Sequence, residues 1–294
     1  MRVTQTMLNS NFLRNLSNSY DRMGQYQDQL STGKKFTKPS DDPVSAMKGI
    51  NFRSELNEVE QYQRNLGKAR SLMENSDSSL DKATLVLQRV RELAVQASND
   101  TYETKQRSNV AEEVKELRAH LIDVSNTKVN GKYIFNGTDT ETPRFTNDGE
   151  LVNPPGNEDD INIPVSKGIQ LKANVTPDNV FNEEVFAELK ELEDTLRDPN
   201  SSNQDIEVFI SKLDLRIDNV VGERAQLGAR MNRLDMVEDR LTAQEVVAAR
   251  VLSDNEDAEI EKVIMNLKSQ ESVHRAALST GARVIQPTLM DFLR

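Results

Sequence analysis

Apolar side chains recur at alternating steps of three and four through most of this chain. Val59, Tyr62, Leu66, Ala69, Met73, Ser76, Leu80, Ala83, Leu87, Val90, Ala94 and Ala97 lie on one such stripe. Ile206, Ile210, Leu213, Ile217, Val220, Arg224, Leu227, Met231 and Leu234 lie on another. A 3.5-residue repeat draws one narrow stripe along a helix, the seam by which long helices pair. The spacing therefore predicts a mainly α protein whose core lies between coiled-coil-like helices.

Proline divides the pattern. Six of the nine prolines fall between residues 143 and 199, and 44–142 and 200–286 contain none, which leaves both stretches free for long helices. An opening helix is expected from about Val3 to Leu30, with Leu13, Leu16, Tyr20, Met23, Gln27 and Leu30 on one stripe. Gly33 suits its end, where a positive φ carries no Cβ penalty. The next helix starts near Ser40, Asp41, Asp42 and Pro43: carboxylates accept the free N–H groups and proline suits the first turn. Between the two, residues 31–39 cross as an ordered turn.

A third helix carries Val110, Val114, Leu117, Leu121 and Val124. The period then changes. Residues 129–135 read as a hairpin, with Asn130-Gly131 matched to a type I′ turn. Further turn signals follow, and 161–165 and 169–175 read as short strands, so 131–182 forms a small β-rich insert. Helices resume with Val185, Leu189, Leu192 and Leu196, and again from Gln204 to Leu252. A closing helix from near Asp257 carries Ile260, Val263, Leu267, Gln270, His274, Ala277, Gly281 and Val284. Pro287 interrupts it before the apolar end with Leu289, Phe292 and Leu293. The expected division is thus 1–42 with 255–294 as terminal helices, 43–130 with 183–254 as an antiparallel helical rod, and 131–182 as the insert.

The terminal seams are imperfect. Gln27, Gln270, His274 and Gly281 stand where an apolar residue would contribute about 1.5–3 kcal/mol on full burial. The expectation is that 1–32 and 257–294 are poorly ordered in a free subunit and fold when neighbours surround them.

Composition narrows the chemistry. With 36% hydrophobic, 29% charged and 5% aromatic residues the core is thin, and without cysteine there is neither a disulfide framework nor a thiolate metal site. The net charge of −11 is uneven: residues 1–50 carry seven Lys/Arg and four Asp/Glu, a net +3, which leaves −14 for the remainder. An acidic chain without a dense basic stripe is a poor match to nucleic acid. No membrane partner is expected, since the longest apolar run, 246–249, is far short of a span. The first 30 residues hold no four-residue apolar run, so no cleavable signal peptide is expected. His120 and His274 lack the neighbours a catalytic triad needs. The acidic clusters at 158–160, 183–184 and 254–257 do not follow a calcium loop and read as solvated charge. No catalytic, metal or cofactor site is indicated.

Residues 30–46, LSTGKKFTKPSDDPVSA, closely resemble the N-terminal signature of the bacterial flagellin family, and 91–101, RELAVQASNDT, resemble its second segment. GARMNRL at 228–234, SDNED at 253–257 and LMDFLR at 289–294 are similar to its C-terminal region. Within the family, MRVTQTM at the start and NGKYIFNG at 130–137 are more similar to members that join the flagellar hook to the filament; a filament-forming flagellin is the alternative. A coiled-coil signalling rod would instead need a sensory pocket in 131–182 and a stable dimer.

The resemblance implies a non-enzymatic structural component of the bacterial flagellum, without cofactors, carried outside the cell through the flagellar secretion channel. It implies copies of itself in a ring, a second hook-associated junction protein on the hook side, flagellin on the filament side, and a cytoplasmic export chaperone on the C-terminal segment. Leu13, Leu16, Tyr20, Met23, Leu30, Ile260, Val263, Leu267, Ala277, Val284, Leu289, Phe292 and Leu293 would then be the assembly seams. Gly33, Pro39, Ser40, Asp41, Asp42 and Pro43 would form the joint that sets the angle of the terminal helices.

Overall fold

The computed structural model describes residues 5–99, 104–154 and 156–285. The chain is mainly α, with helices α1 (Gln5–Thr32), α2 (Pro43–Ala97), α3 (Thr104–Ser125), α4 (Glu183–Arg197), α5 (Asn203–Glu256) and α6 (Ile260–Ile285). Two small antiparallel sheets stand between α3 and α4: β1 (Lys128–Val129) with β2 (Lys132–Tyr133), and β3 (Asn162–Ser166) with β4 (Ile169–Lys172). Packing divides the chain into unit 1, residues 1–58 with 244–294, and unit 2, residues 59–243. These limits lie inside the helical segment that the sequence assigns to the rod. Val59 is the first residue of the long α2 stripe to be buried.

Unit 2 holds the main core. The stripe expected on α2 is buried at Val59, Leu66, Ala69, Met73, Ser76, Leu80, Ala83, Leu87, Val90, Ala94 and Ala97. Facing it, α5 buries Ile206, Leu213, Val220, Leu227 and Leu234, followed by Val237 and Leu241. The two helices run antiparallel, since Arg70 pairs with Asp235 at 2.6 Å and Arg91 pairs with Asp214 further along. Arg224 is the polar residue on the α5 stripe. Its guanidinium reaches Asp77 at 3.0 Å and Asp81 at 2.7 Å on α2, which explains a cation on an apolar face.

Helix α4 is set by its own ends. Asn182 accepts a hydrogen bond from the Val185 N–H at 3.0 Å. Glu183 and Glu184 occupy the first turn and Arg197 the last, which matches the helix dipole. Its buried Val185, Phe186, Leu189, Leu192 and Leu196 share a core with Val114, Leu121 and Val124 of α3.

The insert is held by a buried cation as well as by its strands. Asn130 and Gly131 have φ of 52° and 79°, the two positive values a type I′ turn requires, and they close β1 onto β2. Beyond this short hairpin Ile134 and Phe135 are buried, with the Phe135 ring edge-on to Phe181 at 4.9 Å. Arg144 is the largest fully buried side chain. It donates to the Asn157 carbonyl at 3.1 Å and the Phe181 carbonyl at 3.4 Å, with the Asp178 carboxylate 3.8 Å away. Burial pushes this guanidinium below its ordinary pKa, and the nearby Asp178 and Glu158 charges oppose that shift.

In unit 1, α1 and α6 pack antiparallel, as the pairs Ser19 with Gln270 and Phe12 with Gly281 show. Among the described residues its buried apolar side chains are Val263 and Ala248. Met7, Leu13, Tyr20, Val44, Met47, Ile50, Val246, Val247, Ile264, Met265, Val273 and Leu278 all stand open to solvent.

Candidate functional site

Two features of unit 1 make up the candidate assembly site: the faces of α1 and α6, and the joint between α1 and α2. On α6 the expected stripe faces α1. Val263 is buried, Leu267, Gln270, His274 and Ala277 are half-buried, and Gly281 is buried. Ile260, at its start, is exposed. Val284 falls in the last turn of α6, and Leu289, Phe292 and Leu293 lie outside the described residues.

On α1 the packed face is shifted from the expected one. Leu16 and Met23 are half-buried as expected, but Leu13 is 59% and Tyr20 67% exposed, and Leu30 is also open. The covered stripe instead passes through Phe12, Leu16, Ser19, Met23 and Tyr26. Both stripes keep the 3.5-residue repeat and share Leu16 and Met23, so periodicity alone does not choose between them. The result is a helix with one flank against α6 and an open second flank at Leu13 and Tyr20, where the Tyr20 ring still reaches His274 of α6 at its edge.

The joint is built from backbone first. Gly33 takes φ +70°, its N–H bonding back to the Gln29 carbonyl at 2.9 Å to end α1. The chain then pairs with the segment that separates α5 from α6. The Lys35 N–H donates to the Glu256 carbonyl at 2.6 Å, and the Ala258 N–H donates to the Gly33 carbonyl at 2.8 Å. A turn follows, closed by the Asp41 N–H on the Lys38 carbonyl at 3.0 Å, with Pro39 and Ser40 as its central residues.

The three expected caps have separate roles. Asp42 is the cap of α2: Oδ1 accepts from Val44 N–H at 3.1 Å and Ser45 N–H at 3.0 Å, while Oδ2 accepts from the Ser45 hydroxyl at 2.6 Å. Pro43 is the first residue of the helix. Asp41 turns backwards and accepts from the N–H groups of Thr37 and Lys38 at 3.2 and 3.0 Å. Ser40 is exposed as a central residue of the turn. The Ser45 hydroxyl, above all, holds the Asp42 carboxyl below the ordinary carboxylate value, and the Lys38 N–H does the same for Asp41.

Charges that sequence reasoning read as solvated fasten the joint. Glu256 is 3% exposed and its carboxylate meets Arg53 at 2.7 Å and Lys34 at 3.5 Å. Gly49 makes room for it, since a Cβ there would lie 2.6 Å from Glu256 Oε1. Lys34 also donates to Asp257 at 2.7 Å, which raises the lysine and lowers the aspartate from their ordinary values. Asn255 donates to the Ser45 carbonyl at 2.9 Å. The signal that could have found this cluster is the pairing of Lys34-Lys35 with Glu256-Asp257, two helix breaks of opposite charge.

Chemistry is sparse elsewhere. His120 is exposed on α3, and His274 is half-buried against Tyr20, ring centroids 6.2 Å apart. Among the described residues no group of three or more His, Cys, Asp or Glu is placed to hold a metal ion. No helix among them is long and apolar enough to cross a membrane.

The chain is similar in sequence and in fold to known proteins. The family described as the bacterial flagellin N-terminal helical region matches residues 3–140. Flagellar hook-associated protein 3 of Escherichia coli (strain K12) is 26% identical, over 94% of this chain and 95% of its own length. A flagellin of Bacillus subtilis (strain 168) is 27% identical, over 83% of each chain. The solved structure of flagellar hook associated protein-3 from Legionella pneumophila superposes with a TM-score of 0.63 at 17% identity, covering 70% of this chain and 98% of that one, a likeness of fold. Residues 3–140 are thus similar to the N-terminal helical region of the bacterial flagellins, and along nearly its whole length the chain is similar to flagellar hook-associated protein 3.

Proposed function

We propose that this chain is a structural component of the bacterial flagellum that forms the junction between hook and filament. The observation that carries this reading is similarity to hook-associated protein 3 along nearly the full length of both chains, whereas the flagellin match covers less of each. The open apolar flanks of α1 and α6 support an assembly role, because contiguous exposed apolar surface on a soluble unit marks a contact site. Unit 2 is the folded body, and the α1–α6 pair is completed by copies from neighbouring subunits in a ring. The joint from Gly33 to Pro43 holds that pair at a fixed angle to the start of α2. A second hook-associated protein lies on the hook side and flagellin on the filament side, and an export chaperone covers the C-terminal segment before secretion.

Deletion of the chain followed by electron microscopy tests this. The expected result is cells with hooks that shed flagellin into the medium. Normal filaments on the deleted strain reject the junction role. A filament-forming subunit would instead polymerise alone into long fibres at high concentration.

A further inference from the structure

The α1–α6 seam carries two features that a seam built for adhesion alone would lack. Buried Ser19 and half-buried Gln270 face each other, the Gln270 amide donating to the Ser19 hydroxyl at 2.9 Å. Two turns away the Phe12 ring occupies the space over Gly281, where any Cβ would lie 2.1 Å from the ring Cζ. Two helices joined by a plain apolar heptad seam can slide by seven residues and bury nearly the same surface. A polar pair and a ring-in-socket contact survive only in one alignment, because sliding buries the hydroxyl or the amide against apolar side chains and sets the ring against a Cβ.

We propose that Ser19–Gln270 and Phe12–Gly281 together form a register key that fixes the antiparallel alignment of the two terminal helices. The residues that break the apolar pattern are then the ones that select the pairing. The seam trades adhesion for alignment, so the pair can be weak in a single subunit and still meet its neighbours with the Leu13–Tyr20 flank in one place. This goes beyond the junction reading and holds whatever the chain assembles with, since it concerns pairing within one subunit.

The absence of native cysteine makes disulfide trapping on the full chain a direct test. Met23→Cys with Leu267→Cys reports the observed alignment, and Met23→Cys with His274→Cys reports a shift of one heptad. In the otherwise native chain the first pair is expected to cross-link about tenfold faster than the second, the scale of selection by one buried polar pair. In the Phe12→Ala/Ser19→Leu/Gln270→Leu background the two rates should converge. Moving the serine by one heptad, Ser19→Leu/Tyr26→Ser, should swing the preference towards the 23/274 pair. The proposal is overturned if the native seam cross-links both pairs equally, or if the triple and transposed variants both keep the native preference.

Discussion

In unit 2 the stripe of α2 is covered from Val59 to Ala97, and its one seam cation, Arg224 on α5, is answered by two aspartates. In unit 1 the heptad pattern continues, but Leu13 and Tyr20 of the expected α1 stripe are open to water, as are Val44, Met47, Ile264 and Val273 beside the stripes. The difference does not lie in the period, although the terminal seam carries Gln270, His274 and Gly281 where most of the unit 2 stripe is apolar. It lies in the supply of partners: α2 has α5, α3, α4 and the insert to pack against, while α1 has α6 on one flank and solvent on the other. Heptad spacing therefore states that a helix has a partner face without stating that the partner belongs to the same chain.

Substitutions separate the two units most sharply at their apolar positions. Phe186→Ala, which removes a ring packed 4.6 Å from Phe145, should cost unit 2 about 3–5 kcal/mol in urea denaturation. Leu13→Ala with Tyr20→Ala should change the stability of the free subunit by no more than about 0.5 kcal/mol, as for other open positions. Incorporation into the flagellum should nevertheless be lost, as scored by filament counts. Equal incorporation would mean that the open flank of α1 is not a contact surface.

The joint gives a smaller contrast. Gly33→Val forces a branched side chain into φ +70° and should cost about 1–3 kcal/mol of local strain, loosening α1 while α3 and α4 keep their protection from hydrogen exchange. Acid should act on the same place. Asp42 and Asp257 are held below their ordinary value of 3.8, so the unfolded chain binds more protons than the folded joint. Their contribution is complete above pH 3.8 and is lost as pH falls through the lower folded values. Asp257→Asn should flatten that acid limb in a titration followed at Ala258 and Lys35. Ser40→Ala, at an exposed turn position, should leave both stability and assembly unchanged.

Much of the fold was legible in the residues. The α2, α3 and α4 stripes are buried where the spacing places them, and Asn130-Gly131 closes the hairpin, because each signal is local and carries its own geometry. The shifted face of α1 was not legible: Leu16 and Met23 belong to both candidate stripes, and the choice rests on Gly281 and Gln270, some 250 residues away. Arg144 was missed for a related reason. A lone arginine reads as surface, and only the fold brings the Asn157 and Phe181 carbonyls to it. Glu256 likewise became structural only once Arg53, Lys34 and the bare Gly49 backbone met around it.

Hydrogen exchange on the free, full-length subunit addresses the central claim most directly. The amides of α3, α4 and the Val59–Ala97 part of α2 should exchange slowly, and those of α1 and α6 faster by several orders of magnitude, gaining protection only in the assembled state. Protection of α1 and α6 in the free subunit equal to that of unit 2 would contradict the account.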